Sequence, residues 1–167
     1  MFITFTLEFF VALSIGTTAP DFTLFDSGMQ PVSLSSFKGQ NVVLAFFPAA
    51  FTGICTAEMC SFQTAIQRLN GLNATVIAVS ADLPFANKAF AVAHGLTFPV
   101  LSDWSLSTIN AYDVALNNFA GIPDLVRSDR ATFVIDVEGV IRHVNVTENP
   151  GLEPDYDEIY EAVEGLA

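Results

Sequence analysis

FFPAAFTGICTAEMC, residues 46–60, contains both cysteines of the chain and is the stretch from which its other parts can be placed. The apolar run at 42–47 leads into it and predicts a buried strand. Pro48 ends that strand, and Thr52 supplies a hydroxyl that suits the N-cap of a helix. Cys55 therefore falls in the first helical turn, where free N–H groups and the positive end of the helix dipole favour a thiolate. The pattern indicates a nucleophilic or redox-active cysteine.

The composition predicts one domain with ample material for a core, since 51% of the 167 residues are hydrophobic. Two cysteines are too few for a secreted disulfide scaffold, and no neighbouring histidine completes a zinc site. We therefore expect neither a metal nor an organic cofactor. The formal charge of −12 argues against nucleic acid and anionic membranes as partners. With 16 phenylalanines and 14% charged residues, the chain favours burial of some apolar surface in a homodimer.

The first 14 residues form an apolar segment that we predict to be an N-terminal extension or an added edge strand. Its side chains alternate in character with the period of two that is typical of a half-buried strand. Glu8 interrupts the apolar run and no basic residue precedes it, which argues against a cleaved signal peptide. The segment is too short to cross a membrane. We therefore expect a cytoplasmic protein, with its main domain over residues 15–167.

Apolar runs and turn residues predict the elements of this main domain. Extended segments are expected at 19–24, 42–47, 75–80, 98–101, 131–136 and 140–146, and helical segments at 33–38, 56–69, 84–94, 106–112 and 155–166. Residues 117–129 are expected to form a long irregular connection. Strands that alternate with helices and end in a hairpin predict a single α/β domain, in which a central mixed β-sheet is flanked by helices.

The spacing of the two cysteines restricts how they can react with each other. Five residues apart on an intact helix, Cys55 and Cys60 would have Cα atoms about 8 to 9 Å apart on faces that differ by about 140°. A disulfide needs a Cα separation of about 4.4 to 6.8 Å. A bond between them therefore requires the first helical turns to unwind. The alternative is that Cys60 is simply a small buried apolar residue.

Several segments of the chain resemble those of the peroxiredoxins, in the order found in that family. The stretch PAAFTGIC at 48–55 is similar to the PxxxTxxC active-site motif. Further similar segments are APDF at 19–22, VSAD at 79–82, FPVLSD at 98–103 and RATFVID at 130–136. The resemblance covers nearly all of residues 15–167. It implies a thioredoxin-like fold and thiol-dependent reduction of hydrogen peroxide and alkyl hydroperoxides.

The resemblance also implies a role for each matching residue. Cys55 corresponds to the peroxidatic cysteine, whose thiolate attacks a peroxide oxygen and becomes a sulfenic acid. Thr52 corresponds to the motif threonine, whose hydroxyl contacts both the peroxide and the thiolate, and Pro48 shapes the pocket. Arg130 corresponds to the arginine that favours the thiolate and stabilises charge on the leaving oxygen. Glu58 matches an acidic position of one branch, although a solvated surface position explains it equally well.

The resolving step is less uniform among the branches that the chain resembles. Cys60 stands where the bacterioferritin-comigratory, or PrxQ, branch has its second cysteine. Residues 80–86 and 153–157 look more like the atypical thiol peroxidases, which keep that cysteine in the next helix, near Ala91 of this chain. No cysteine is present there. Cys60 is thus the candidate resolving residue, and an intramolecular disulfide would then be reduced by a thioredoxin-like dithiol.

Three alternatives to this two-cysteine antioxidant peroxidase remain open from the sequence. One is a one-cysteine peroxiredoxin that uses an external thiol. Another is a redox sensor, which would begin with the same sulfenic acid at Cys55. The third is a disulfide oxidoreductase, against which the CxxxxC spacing speaks, as does the pairing of Thr52 with Arg130.

Overall fold

The computed structural model describes residues 13–167, so the predicted edge strand within residues 1–14 lies almost wholly outside the described part. The strands are β1 Thr23–Phe25, β2 Pro31–Ser33, β3 Asn41–Phe46, β4 Ala74–Ser80, β5 Val100–Ser102, β6 Ala115–Leu116, β7 Arg127–Ser128, β8 Ala131–Ile135 and β9 Ile141–Val146. The helices are α1 Gly53–Gly71, α2 Pro84–His94, α3 Ser107–Ala111 and α4 Tyr156–Glu164, with 3-10 turns at Leu34–Phe37 and Phe119–Gly121.

Strands β3 and β4 lie at the centre of a seven-stranded sheet with the order β2-β1-β5-β4-β3-β8-β9. β4 is parallel to both of its neighbours, β3 and β5. β8 and β9 continue the sheet antiparallel on one side, and β1 and β2 do so on the other. The predicted α/β domain, with a central mixed sheet and flanking helices, is confirmed.

The side chains of β3 alternate between two apolar cores, one on each face of the sheet. Leu44 and Phe46 belong to one core, together with Tyr112. Val43 and Ala45 belong to the other, which also contains side chains of α1 and α4. All six residues of β3 are buried. This confirms the prediction of a central strand covered on both faces.

The predicted irregular connection at 117–129 is mostly irregular, but it also contains two short regular elements that the sequence-based expectation did not include. Residues 117–129 contain a 3-10 turn at Phe119–Gly121 and the strand β7. β7 pairs antiparallel with β6, which lies just before this segment in the chain. The segment is therefore the loop of a short two-stranded ribbon. Each ribbon strand has only two residues, which is too short for an alternating pattern to be visible in the sequence. Within residues 13–167, no helix is long and apolar enough to span a membrane.

Truncation of the central strand provides a test of the two-sided core. Leu44 lies in β3 and its fully buried side chain is part of the core on one face of the sheet. We expect Leu44→Ala to lower the free energy of unfolding by about 3 kcal/mol, because it leaves a cavity in a packed interior. Urea denaturation followed by circular dichroism measures this change. The matched control is Leu152→Ala, at a side chain that is 47% exposed, where a change below about 0.5 kcal/mol is expected. Equal effects of both substitutions would contradict the assigned core.

Candidate active site

The turn between β3 and α1 carries the reactive cysteine to the end of the sheet. The strand ends at Phe46, and the Phe47 amide still donates to the Val79 carbonyl at 3.0 Å. Helix α1 then begins at Gly53. Cys55 lies in its first turn, as predicted, with a side chain that is only 1% exposed. The helix N-terminus therefore acts on a sulfur that is largely shielded from bulk water.

Thr52 occupies the N-cap position, but its hydroxyl does not cap the helix. The hydroxyl instead donates to the Ala49 carbonyl oxygen at 3.0 Å, within the preceding loop. The prediction that Thr52 caps α1 is thus right for its position and wrong for its side-chain hydrogen bond. Because its proton is directed to Ala49, the Thr52 oxygen keeps a lone pair that can accept a hydrogen bond from a bound molecule.

Arg130 precedes β8 and is brought to Cys55 by the pairing of β8 with β3. β3 and β8 are antiparallel, with Phe46 opposite Ala131, so the start of β8 adjoins the end of β3. The Arg130 side chain is 1% exposed, and its Nη2 donates to Cys55 Sγ at 3.4 Å. Arg130 therefore lies in the interior beside the sulfur and not at the surface. The buried guanidinium thus places a positive charge beside the sulfur.

Glu58 forms the second contact of the same guanidinium. Its carboxylate oxygen Oε2 accepts a hydrogen bond from Arg130 Nη1, and both side chains are almost completely buried. Its interpretation as a solvated surface residue is therefore wrong. The other carboxylate oxygen, Oε1, is buried and has no hydrogen-bond partner among residues 13–167. Arg130 is thus shared between the carboxylate of Glu58 and the sulfur of Cys55.

A backbone carbonyl completes the coordination of the guanidinium. The Pro150 oxygen accepts from Arg130 Nη2 at 2.7 Å and from Nε at 3.3 Å. This contact was missed in the sequence because any residue supplies a carbonyl, whatever its side chain. Pro150 and the Glu58 carboxylate together fix the plane of the guanidinium on either side of its contact with Cys55. The cation is therefore held in place before any substrate arrives.

Burial changes the protonation equilibria of this pair. Loss of hydration raises the pKa of Glu58 to about 7, an effect that the neighbouring Arg130 charge only partly offsets and that Glu153 reinforces. Burial acts to lower the pKa of Arg130, but the contacts with Glu58 and Cys55 raise it above its ordinary value. Arg130 consequently remains a cation, while Glu58 changes its charge near neutral pH.

A pocket of about 220 Å³ lies beside Cys55 at one end of the sheet. Four of the five residues predicted for the site, namely Pro48, Thr52, Cys55 and Arg130, lie in its wall. The other lining residues are Gly53, Ile54, Phe119, Pro150 and Gly151. The volume suits a small molecule, and a sulfur nucleophile, a hydroxyl and a cation all face it. This arrangement can hold a small polar electrophile against Cys55.

Cys60 is the predicted site residue that the structure does not bring into the pocket. It lies within α1, five residues after Cys55, and is half-buried. Both cysteines are free. The continuous helix keeps the two cysteines apart, as expected from helical geometry. The structure therefore corresponds to the reduced, folded state.

The raised pKa of Glu58 predicts a specific pH dependence of stability. In the folded chain the carboxyl holds its proton up to about pH 7, against 4.5 in its ordinary state. The stability linked to this proton is present below about pH 4.5 and is lost as the pH rises through 7. As the pH rises through this range, we expect the free energy of unfolding of the native chain to fall by about 3 kcal/mol relative to that of Glu58→Gln. Each pKa unit corresponds to about 1.4 kcal/mol.

Urea denaturation at pH 5 and pH 8 measures this difference. Glu138→Gln is the control, because Glu138 is exposed at the β8–β9 turn and forms no ion pair within the described part of the chain. Its stability should follow that of the native chain at both pH values. Parallel pH curves for the native chain and Glu58→Gln would contradict the assigned titration.

The sequence is similar to those of known thiol peroxidases. A family model described as the AhpC/TSA family matches residues 15–144. Alkyl hydroperoxide reductase E of Mycobacterium tuberculosis is 38% identical over 141 residues, which cover 83% of this chain and 88% of that protein. The chloroplastic peroxiredoxin Q of Sedum lineare is 36% identical over 135 residues, which cover 81% of this chain and 70% of that protein.

The fold is likewise shared with solved structures. Peroxidoxin BcpB from Mycobacterium tuberculosis superposes with a TM-score of 0.82 at 26% identity, covering 93% of this chain and 99% of that one. A peroxiredoxin-like protein from Aquifex aeolicus gives a TM-score of 0.81 at 27% identity, covering 93% of this chain and 88% of that one. Sequence and fold agree with the resemblance seen in the motifs around Cys55. The chain therefore belongs to the AhpC/TSA family of peroxiredoxins, enzymes that reduce peroxides with a cysteine thiol.

Proposed function

We propose that the chain reduces hydrogen peroxide and alkyl hydroperoxides in antioxidant defence, with Cys55 as the peroxidatic residue and Cys60 as the resolving residue. A thioredoxin-like dithiol would recycle the disulfide. The observation that carries the first half of this proposal is the 3.4 Å contact between Arg130 Nη2 and the buried Cys55 Sγ at the wall of a small pocket. The name of the mycobacterial relative, alkyl hydroperoxide reductase E, supports alkyl hydroperoxides as one substrate class.

The groups around Cys55 support an attack of the sulfur on a peroxide oxygen. A hydroperoxide in the pocket would donate a hydrogen bond from its O–H group to the Thr52 oxygen, while Arg130 would lie beside both the sulfur and the entering molecule. The Cys55 thiolate attacks the near oxygen, the S–O bond forms and the O–O bond breaks. The far oxygen leaves with the electron pair and takes up a proton, as water or an alcohol. Sulfur is oxidised by two electrons to a sulfenic acid, and the peroxide is reduced.

The proposed resolving step depends on local unwinding of α1. Once its first turns open, the Cys60 thiolate can attack the Cys55 sulfenic sulfur. The S–S bond forms as the S–O bond breaks, and the hydroxyl leaves with the electron pair of that bond and takes up a proton from the solvent to give water. The half-buried position of Cys60 supports this role, because a modest opening of the helix is enough to expose it.

Two other interpretations compete with this proposal. In one, an external thiol takes the place of Cys60, and in the other the protein signals the presence of peroxide and does not scavenge it. Each shares the first step at Cys55 and differs afterwards. A disulfide oxidoreductase would instead need no peroxide at all. The site favours peroxide chemistry over that last alternative, because Thr52 and Arg130 supply a hydrogen-bond acceptor and a cation around the sulfur.

We also propose a homodimer and a cytoplasmic location, as expected from the sequence. Support for the dimer comes from exposed apolar side chains in the loop before α1, at the start of α2 and after β5. They are Phe51, Leu83, Phe85 and Trp104, each more than half exposed. Sedimentation equilibrium of the reduced protein tests the dimer, and cell fractionation tests the location. A protein that stays monomeric at all concentrations would contradict the proposed dimer.

Substitution of Arg130 tests the first step. We expect Arg130→Lys to lower the second-order rate constant for hydrogen peroxide by about 100-fold, because lysine cannot contact Cys55, Glu58 and Pro150 with one planar group. Competition with a haem peroxidase measures the rate constant. Arg142→Lys is the matched control, since Arg142 pairs with Asp136 at a partly exposed position. An unchanged rate for Arg130→Lys would exclude the assigned role of the guanidinium.

Substitution of Cys60 tests the second step. We expect Cys60→Ser to react with peroxide at the native rate and then to accumulate a sulfenic acid that dimedone traps. The native chain should instead form an intramolecular disulfide, seen by mass spectrometry as the loss of two hydrogens. Cys55→Ser should show neither product. Equal dimedone labelling of the native chain and Cys60→Ser would favour an external thiol over Cys60.

A further inference from the structure

The loop between β3 and α1 is tied to the neighbouring strand by one carboxylate. The Ala50 amide donates to Asp82 Oδ2 at 2.8 Å. Asp82 follows β4, which is parallel to β3, so the ends of both strands meet at the same edge of the sheet. Ala50 lies between Pro48 and Thr52, two residues of the pocket wall. The carboxylate therefore holds the backbone of the segment that presents Thr52 and Cys55.

Asp82 is itself held by buried polar groups. Its amide donates to the Ser80 hydroxyl at 3.2 Å, and that hydroxyl lies 3.3 Å from its carboxylate. Ser80 also lies 3.0 Å from Asn87 Oδ1, and Asn87 Nδ2 donates to the Leu101 carbonyl at 3.1 Å. Ser80 and Asn87 are completely buried. The position of the carboxylate is thus set by β4, β5 and α2, all outside the loop that it anchors.

The anchored loop has a backbone conformation that needs support from its surroundings. Phe51 has a φ of 63°, in the left-handed region that is unfavourable for a residue with a β-carbon. Its ring packs on two rings of α2, with centroids 5.3 Å from Phe90 and 6.2 Å from His94. The loop is therefore held to the β4–α2 unit by one hydrogen bond and by the contacts of the Phe51 ring with two aromatic rings. Such a conformation persists only while contacts of this kind fix it.

We propose that Asp82 is a positioning residue that fixes the 48–52 loop in its reactive conformation, and that release of its bond to Ala50 accompanies the opening of α1. The proposal rests on the proposed function in one respect, namely resolution by Cys60. The two chemical steps need opposite states of the same segment. Oxidation of Cys55 needs the loop and first turn folded, whereas disulfide formation needs them open. The anchor therefore sets the balance between the two steps.

A third reaction reports on this balance. While the segment stays folded, the sulfenic acid of Cys55 can attack a second peroxide. Sulfur then gains a second oxygen, the O–O bond breaks, and water or an alcohol leaves, which gives a sulfinic acid. A weaker anchor should slow the first oxidation, speed disulfide formation and reduce the yield of sulfinic acid. A general loss of stability would not be reversed by a variant that restores only the hydrogen-bond acceptor.

The first test is amide hydrogen exchange of the reduced full chain, which requires no catalysis. We expect Asp82→Ala to speed exchange of residues 50–56 by roughly tenfold, as loss of one hydrogen bond to a charged group implies. Asp82→Asn should stay near the native rate, because its amide oxygen can still accept from Ala50. Asp26→Ala is the matched control, since Asp26 also accepts from backbone amides, at Gly28 and Gln30, in the β1–β2 turn. Equal exchange in Asp82→Ala and Asp26→Ala would overturn the anchor.

The second test follows the products after rapid mixing with hydrogen peroxide. For Asp82→Ala we expect slower loss of the Cys55 thiol, faster disulfide formation and less sulfinic acid than in the native chain, with Asp82→Asn restoring all three. Faster exchange without these changes would overturn the proposed control of the balance. If the native chain forms no disulfide, resolution by Cys60 fails, and the anchor is then judged by exchange and by the rate of thiol loss alone.

Discussion

A single buried cation, Arg130, is the group on which the rest of the site depends. Its guanidinium contacts the Cys55 sulfur, the Glu58 carboxylate and the Pro150 carbonyl, and it is shielded from water. These partners come from two parts of the fold. Helix α1 supplies Cys55 and Glu58, the segment before α4 supplies Pro150, and the β3–β8 pairing delivers the arginine. The register of β3 and β8 thus determines the electrostatics of the sulfur.

The arrangement favours reactivity at some cost in stability. Removing two charges from water is unfavourable, and a buried ion pair repays that cost only when its hydrogen bonds are complete. Here the Arg130 side is well satisfied, whereas Glu58 Oε1 is buried with no partner among residues 13–167. The raised pKa of Glu58 expresses the same imbalance. Functional sites commonly show such local conflicts, which the surrounding core must offset.

Much of the fold and part of the site could be predicted from the sequence. The apolar run of β3 and the strand-ending Pro48 located the strand, the turn and Cys55. The ordered motifs pointed to Arg130. The carbonyl of Pro150 and the amide of Ala50 left no signal, because backbone groups act independently of residue type. Glu58 was ambiguous, since helical spacing alone does not tell whether an acidic residue meets solvent or a buried arginine.

The antiparallel direction of β8 separates the chemistry from the exposed turn between β8 and β9. The site lies where β3 ends and β8 begins, so the turn after β8, at 136–140, lies at the opposite edge of the sheet. Val137 and Glu138 in that turn are exposed. A reporter domain or a surface tether joined there would sit a full strand length from the sulfur. The fold therefore offers a natural attachment point for building a peroxide-responsive sensor whose reactive end stays open to solution.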